Sequence, residues 1–148
     1  GVDTDRFCEI NQERDKVFIY FKRRKPEELG YLKEFMSKMG IDYRIFDYVQ
    51  RYNEDEYLDY LQKSKYGIIL DAHESQGFAI EEALSCNVPL LVWNVRLLSQ
   101  EHGSNYPNTF ATSIPYWDER CGEYFYDKDE LELIWEESKE IFNSNKMT

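Results

Sequence analysis

Apolar runs are short throughout this chain, and none approaches the roughly 18 residues that a membrane-spanning helix needs. Cysteine is scarce as well. Cys8, Cys86 and Cys121 are odd in number, widely spaced and without a Cys-x-x-Cys pair. That pattern favours free thiols in a reducing compartment over a disulfide frame or a zinc site. Positive charge is the third deficit: 18 Lys and Arg stand against 29 Asp and Glu, for a formal net charge of −11. Such a surface repels nucleic acid and anionic membranes. The first residues show no signal-peptide pattern, and the expected compartment is the cytoplasm. Internal repeats and low-complexity linkers are lacking too.

What is present suffices for a packed body. The 148 residues are 42% hydrophobic and 16% aromatic, which makes the chain globular in spite of its 32% charged fraction. Strand and helix patterns alternate. Val17 to Phe21 is apolar on both faces, as a strand between two helix layers would be. Pro26-Glu27-Glu28 opens a helix, because proline suits the first turn and acids suit its positive end. Leu29, Leu32, Met36 and Met39 recur at helical spacing, and Gly40 ends the element as a cap. Ile41 to Tyr48 reads as a second strand. Asn53 caps a helix reaching about Ser64, with Tyr57, Leu58 and Leu61 on its apolar side.

A strand at 66–71, a helix at 77–86 and a strand at 88–93 follow. Short strands are expected near Ser113–Tyr116 and Glu123–Tyr126. A last helix begins near Asp127 or Asp129, with Leu131, Ile134, Trp135, Ser138 and Ile141 on one side. The alternation predicts an α/β fold: a doubly wound, Rossmann-like parallel sheet with helices on both faces.

The most informative stretch is Glu74-Ser75-Gln76-Gly77-Phe78-Ala79-Ile80-Glu81-Glu82-Ala83-Leu84. It sets an acid in a loop, a glycine at a turn and a second acid on a helix, between two apolar strands. Here the sequence resembles the retaining glycosyltransferases of the GT-B fold, family 4 and its relatives, whose nucleotide-sugar domain carries two glutamates separated by seven residues. The opening Gly1-Val2-Asp3-Thr4-Asp5-Arg6-Phe7 is similar to the stretch that enters the C-terminal domain of such enzymes. The resemblance implies residues 1–148 as one donor-binding half, with Gly1 a truncation point and an N-terminal acceptor domain as partner. A natural small Rossmann-like protein is the plainer alternative.

Three segments at strand ends are the candidate site. Lys22-Arg23-Arg24-Lys25 gathers four bases between a strand and a helix N-terminus. Cations beside backbone N–H groups suit a diphosphate, although a solvated basic turn looks the same in sequence. Relatives have Gly-Arg and a lysine five residues later. Here Lys22 takes the glycine's place, Arg23 matches the arginine, and Glu28 stands where the lysine would be. Lys22 and Arg24 share a side if the strand runs that far. By resemblance Glu74 is the catalytic-site residue, holding hydroxyls of the donor sugar, while the amides of Gly77 and Phe78 meet phosphate oxygens. Glycine admits close approach and a helix N-terminus favours an anion. Glu74 or Ser75 would serve equally as a helix cap. His73 titrates near neutrality but has no visible partner.

Glu82 takes the ribose hydroxyls by the family spacing. Periodicity alone does not select it over Glu81, since both flank the side defined by Ile80, Ala83 and Leu84. Asn87 follows the helix where relatives have glycine, and asparagine tolerates the left-handed cap. Tyr48, Arg51 and Tyr52 lie after the second strand, where relatives hold the base. Pro115 to Gly122 is dense in aromatics and charge, suited to closing over the site or to ordinary packing.

The resemblance thus implies a metal-independent transferase with a nucleoside-diphosphate sugar (UDP- or GDP-linked) as ligand and no cofactor. The alternative is a module of the same fold that binds without turnover. A phospho-acceptor signalling domain shares the alternation and has Asp71 at a strand end, but needs acids after the first strand, where this chain has bases.

Overall fold

The computed structural model describes residues 14–48, 52–72, 78–95 and 122–142. Within them lie β1 (Lys16–Lys22), α1 (Pro26–Lys38), β2 (Arg44–Asp47), α2 (Glu54–Gln62), β3 (Ser64–Asp71), α3 (Phe78–Ser85), β4 (Leu90–Trp93), β5 (Gly122–Phe125) and α4 (Leu131–Phe142). A 3-10 turn at Lys128–Glu130 leads into α4. The strands form one sheet in the order β2-β1-β3-β4-β5, and every pair is parallel.

Side chains alternate across each strand, so the sheet sorts them into two cores. Phe18, Tyr20, Ile69, Leu90 and Val92 face Tyr57 and Leu61 of α2 and Ala79, Ile80 and Ala83 of α3. Val17, Ile19, Tyr66, Ile68, Leu70, Leu91 and Trp93 face Leu32, Phe35 and Met36 of α1 and Leu131 and Trp135 of α4. Helices therefore cover both faces, and the doubly wound architecture holds.

The helix ends follow from their local chemistry. Asn53 accepts the N–H groups of Asp55 and Glu56, capping α2. Gly40, at φ 67°, donates to Ser37, and Ile41 donates to Met36, closing α1 in a paired left-handed cap. Asn87, at φ 59°, does the same for α3, with Asn87 N–H on Leu84 and Val88 N–H on Ala83.

Gly67 is set by a contact. It pairs with Phe18 across β1 and β3, and a Cβ on it would lie 2.2 Å from Phe18 Cζ. The Phe18 ring is held edge-on by Phe46 and Tyr57 at 6.4 and 6.0 Å, so it has little room to yield. Gly67→Ala is therefore expected to lower the unfolding free energy by about 1–3 kcal/mol. Phe18→Leu in the same chain should recover part of the loss in urea titrations. A Gly67→Ala midpoint equal to that of the parent would contradict this packing.

Candidate functional site at the strand carboxyl ends

In an open parallel sheet, ligands bind outside the carboxyl ends of the strands, where successive connections leave in opposite directions. With the order β2-β1-β3-β4-β5, that point lies between β1 and β3. Lys22 and Asp71 are partners there, and the Ala72 N–H donates to the Lys22 carbonyl at 3.2 Å. The basic segment thus ends the strand on one side of the crevice, and the loop leading to α3 begins on the other.

Of the four bases, Lys22, Arg23 and Arg24 do not act alike. Lys22 is the last residue of β1 and is half-buried, while Arg23 is exposed at φ 54°. The left-handed turn falls on Arg23 and not on Lys22, so a lysine at position 22 carries no backbone strain. Arg23 carries that strain instead, of order 1–2 kcal/mol for a residue with a Cβ. The turn also ends the strand before Arg24, so Lys22 and Arg24 do not share a side. Arg24 swings inward and is only 1% exposed. Its Nη1 donates to the carbonyls of Asp71 (2.8 Å) and Trp93 (2.6 Å). Its Nε and Nη2 donate to the two carboxylate oxygens of Glu28 at 3.1 and 2.7 Å. This two-pronged pair is the strong geometry for arginine. The guanidinium ties together the ends of β3, β4 and α1 and faces no crevice.

The N-terminus of α1 is likewise in use. Glu28 Oε1 accepts the Lys25 N–H at 3.2 Å, so a carboxylate already stands where an incoming anion would meet that helix. Of the bases beside the switch point, Lys22 is half-buried and Arg23 and Lys25 are exposed. The i, i+4 spacing of Arg24 and Glu28 was the signal for their pairing.

Glu82 is half-buried on α3. Its charge reaches Tyr52 and Tyr57, which form a wall with Tyr20 and Phe46. Burial, reinforced by Glu82, pushes the Tyr52 phenol up to about 12, against a hydrogen bond with Tyr20 that lowers it. Burial likewise holds Tyr57 well above the ordinary value, and its hydroxyl donates to the Ala79 carbonyl at 2.8 Å, fixing the first turn of α3. Both phenols stay protonated at neutral pH. Glu81 is half-buried as well, but the carboxylate felt by these rings is that of Glu82.

Tyr48, Arg51 and Tyr52 follow the second strand, and the sequence singles out none of the three; the structure places Tyr48 beside the bases. Its ring lies 4.5 Å from Lys22 Nζ and 5.9 Å from Arg23 Cζ. An aromatic residue directly after one strand, beside a strand that ends in a base and runs into a basic turn, is the pattern that finds it.

Phe78 opens α3. His73, Glu74, Ser75, Gln76 and Gly77 lie outside the described residues, as do Arg51, the 113–116 segment and nearly all of 115–122. Among the described residues, no group of three or more His, Cys, Asp or Glu side chains is placed to hold a metal ion. No helix among them is long and apolar enough to cross a membrane. No protein-family model matches the sequence, and no curated protein matches it.

Proposed function

We propose that the chain is the donor-binding half of a retaining glycosyltransferase of the GT-B type, taking a nucleoside-diphosphate sugar. One observation carries the reading: Lys22 and Asp71 are partners at the two strand ends that flank the switch point, with a basic turn on one side and the double-glutamate segment on the other. In this reading Lys22 and Arg23 hold the diphosphate, the Gly77 and Phe78 amides meet its oxygens, Glu74 takes sugar hydroxyls and Glu82 takes the ribose. As the bond from the anomeric carbon to the diphosphate oxygen breaks and one to an acceptor hydroxyl oxygen forms, negative charge grows on the leaving oxygen, which the two cations stabilise and which takes up the acceptor's proton. Arg24 leaves the ligand set and shapes the strand ends instead. The acceptor would be held by a second, N-terminal domain.

A second reading, a module that binds the nucleotide sugar without turnover, is favoured by Glu28. That carboxylate sits where the resemblance calls for a lysine, and it is paired with Arg24. Calorimetry with UDP, GDP and their sugar conjugates tests binding, and no affinity for any of them would refute both readings. Sugar transfer on adding an acceptor-binding domain separates the two.

The two glutamates divide by ligand. Glu82→Gln is expected to weaken the bare diphosphate and its sugar conjugate alike, whereas Glu74→Gln should weaken only the conjugate. A charge-assisted hydrogen bond is worth about 1.5–3 kcal/mol, which is roughly tenfold or more in each affected case. Equal losses on both ligands for Glu74→Gln would reassign that residue to helix capping.

A further inference from the structure

Among the described residues, Tyr48 is the ring that lies near both Lys22 and Arg23, and it is fixed from behind. Tyr48 follows β2 directly, and its N–H donates to the Phe21 carbonyl at 3.0 Å, adding a rung to the β1–β2 ladder. The backbone is therefore held, while the side chain remains 44% exposed beside the carboxyl end of β1. Lys22 and Arg23 approach this ring from the neighbouring strand end at 4.5 and 5.9 Å. Two adjacent cations repel each other, and their long side chains lose rotamer freedom when ordered. The negative face of an aromatic ring opposes both effects.

We propose that Tyr48 is a positioning residue that pre-organises Lys22 and Arg23 as a paired receptor for diphosphate. The inference rests on the diphosphate reading given above. Ordering the two cations before the ligand arrives removes part of the ordering cost from the binding step. The ring acts through its face, so the phenolic hydroxyl is dispensable.

Calorimetry of the 148-residue chain with inorganic pyrophosphate at low salt tests this with Tyr48→Leu, Tyr48→Phe and Tyr48→Trp. Tyr48→Leu is expected to weaken pyrophosphate about threefold to tenfold. Tyr48→Phe should stay within about twofold of the parent, and Tyr48→Trp should bind as tightly or more so. In proton NMR of the ligand-free chain, the side-chain methylenes of Lys22 and Arg23 should carry ring-current shifts that survive in Tyr48→Phe and vanish in Tyr48→Leu. Unchanged affinity in Tyr48→Leu overturns the role of Tyr48 alone. A loss in Tyr48→Phe equal to that in Tyr48→Leu also overturns it, by assigning the effect to the hydroxyl. A parent chain that does not bind pyrophosphate overturns the diphosphate reading and this inference with it.

Discussion

Arg24→Ala is expected to destabilise the fold by about 3–5 kcal/mol, the usual effect of removing one partner of a buried ion pair. The guanidinium is almost wholly enclosed, and Glu28, its partner, has a side chain only 19% exposed. Alanine would take the guanidinium from that carboxylate and leave the Asp71 and Trp93 carbonyls without this donor. Arg24→Lys keeps the charge but not the fork, so it should recover only part of the loss. Urea titrations at low and high salt measure both. A buried pair is weakly screened, so the deficit should persist in salt. An Arg24→Ala midpoint equal to the parent's would mean that the tie between β3, β4 and α1 is not formed in solution.

The alternation of elements was legible because each is written in local chemistry: Pro26 at a helix start, Asn53 as a cap, Gly40 and Asn87 at helix ends. The boundaries that moved did so for backbone reasons. Ile41 spends its N–H closing α1, so β2 begins at Arg44 and not at Ile41. Val88 spends its own closing α3 and Pro89 has none, so β4 begins at Leu90. At the other end of α2, Lys63 N–H turns back to Tyr60 while the Lys63 carbonyl accepts from Asp15 and Lys16, which lets β3 start at Ser64. Met39 fell on the expected apolar stripe of α1 but lies just past its end and is 37% exposed.

The crevice was legible only in outline. That bases and acids lie at strand ends follows from the pattern, but which strands stand side by side depends on tertiary pairing. The inward course of Arg24 hangs on a single backbone angle at Arg23, which no periodicity reports. Periodicity did not separate Glu82 from Glu81; that Tyr52 and Tyr57 of the α2 side feel the charge of Glu82 depends on tertiary packing.

Replacing Lys22 and Arg23 together by alanine is expected to weaken UDP or GDP about a hundredfold at low salt. Each charge-assisted contact to a phosphate oxygen is worth about 1.5–3 kcal/mol, and the lower end applies because both side chains stand at a solvated rim. The chain adds to the effect: at a formal net charge of −11 it repels anions, and the variant is two units more negative. Arg24 is left in place so that the tie between β3, β4 and α1 survives and the fold is not in question. Alanine at position 23 keeps the same left-handed strain as arginine, so the urea midpoint should move little. Raising the salt should erode binding by the parent and leave the variant's residual affinity nearly flat, since the screened cations are those removed. Equal affinities of parent and variant at low salt would make the turn a solvated surface and send the search for the anion's partner to α3.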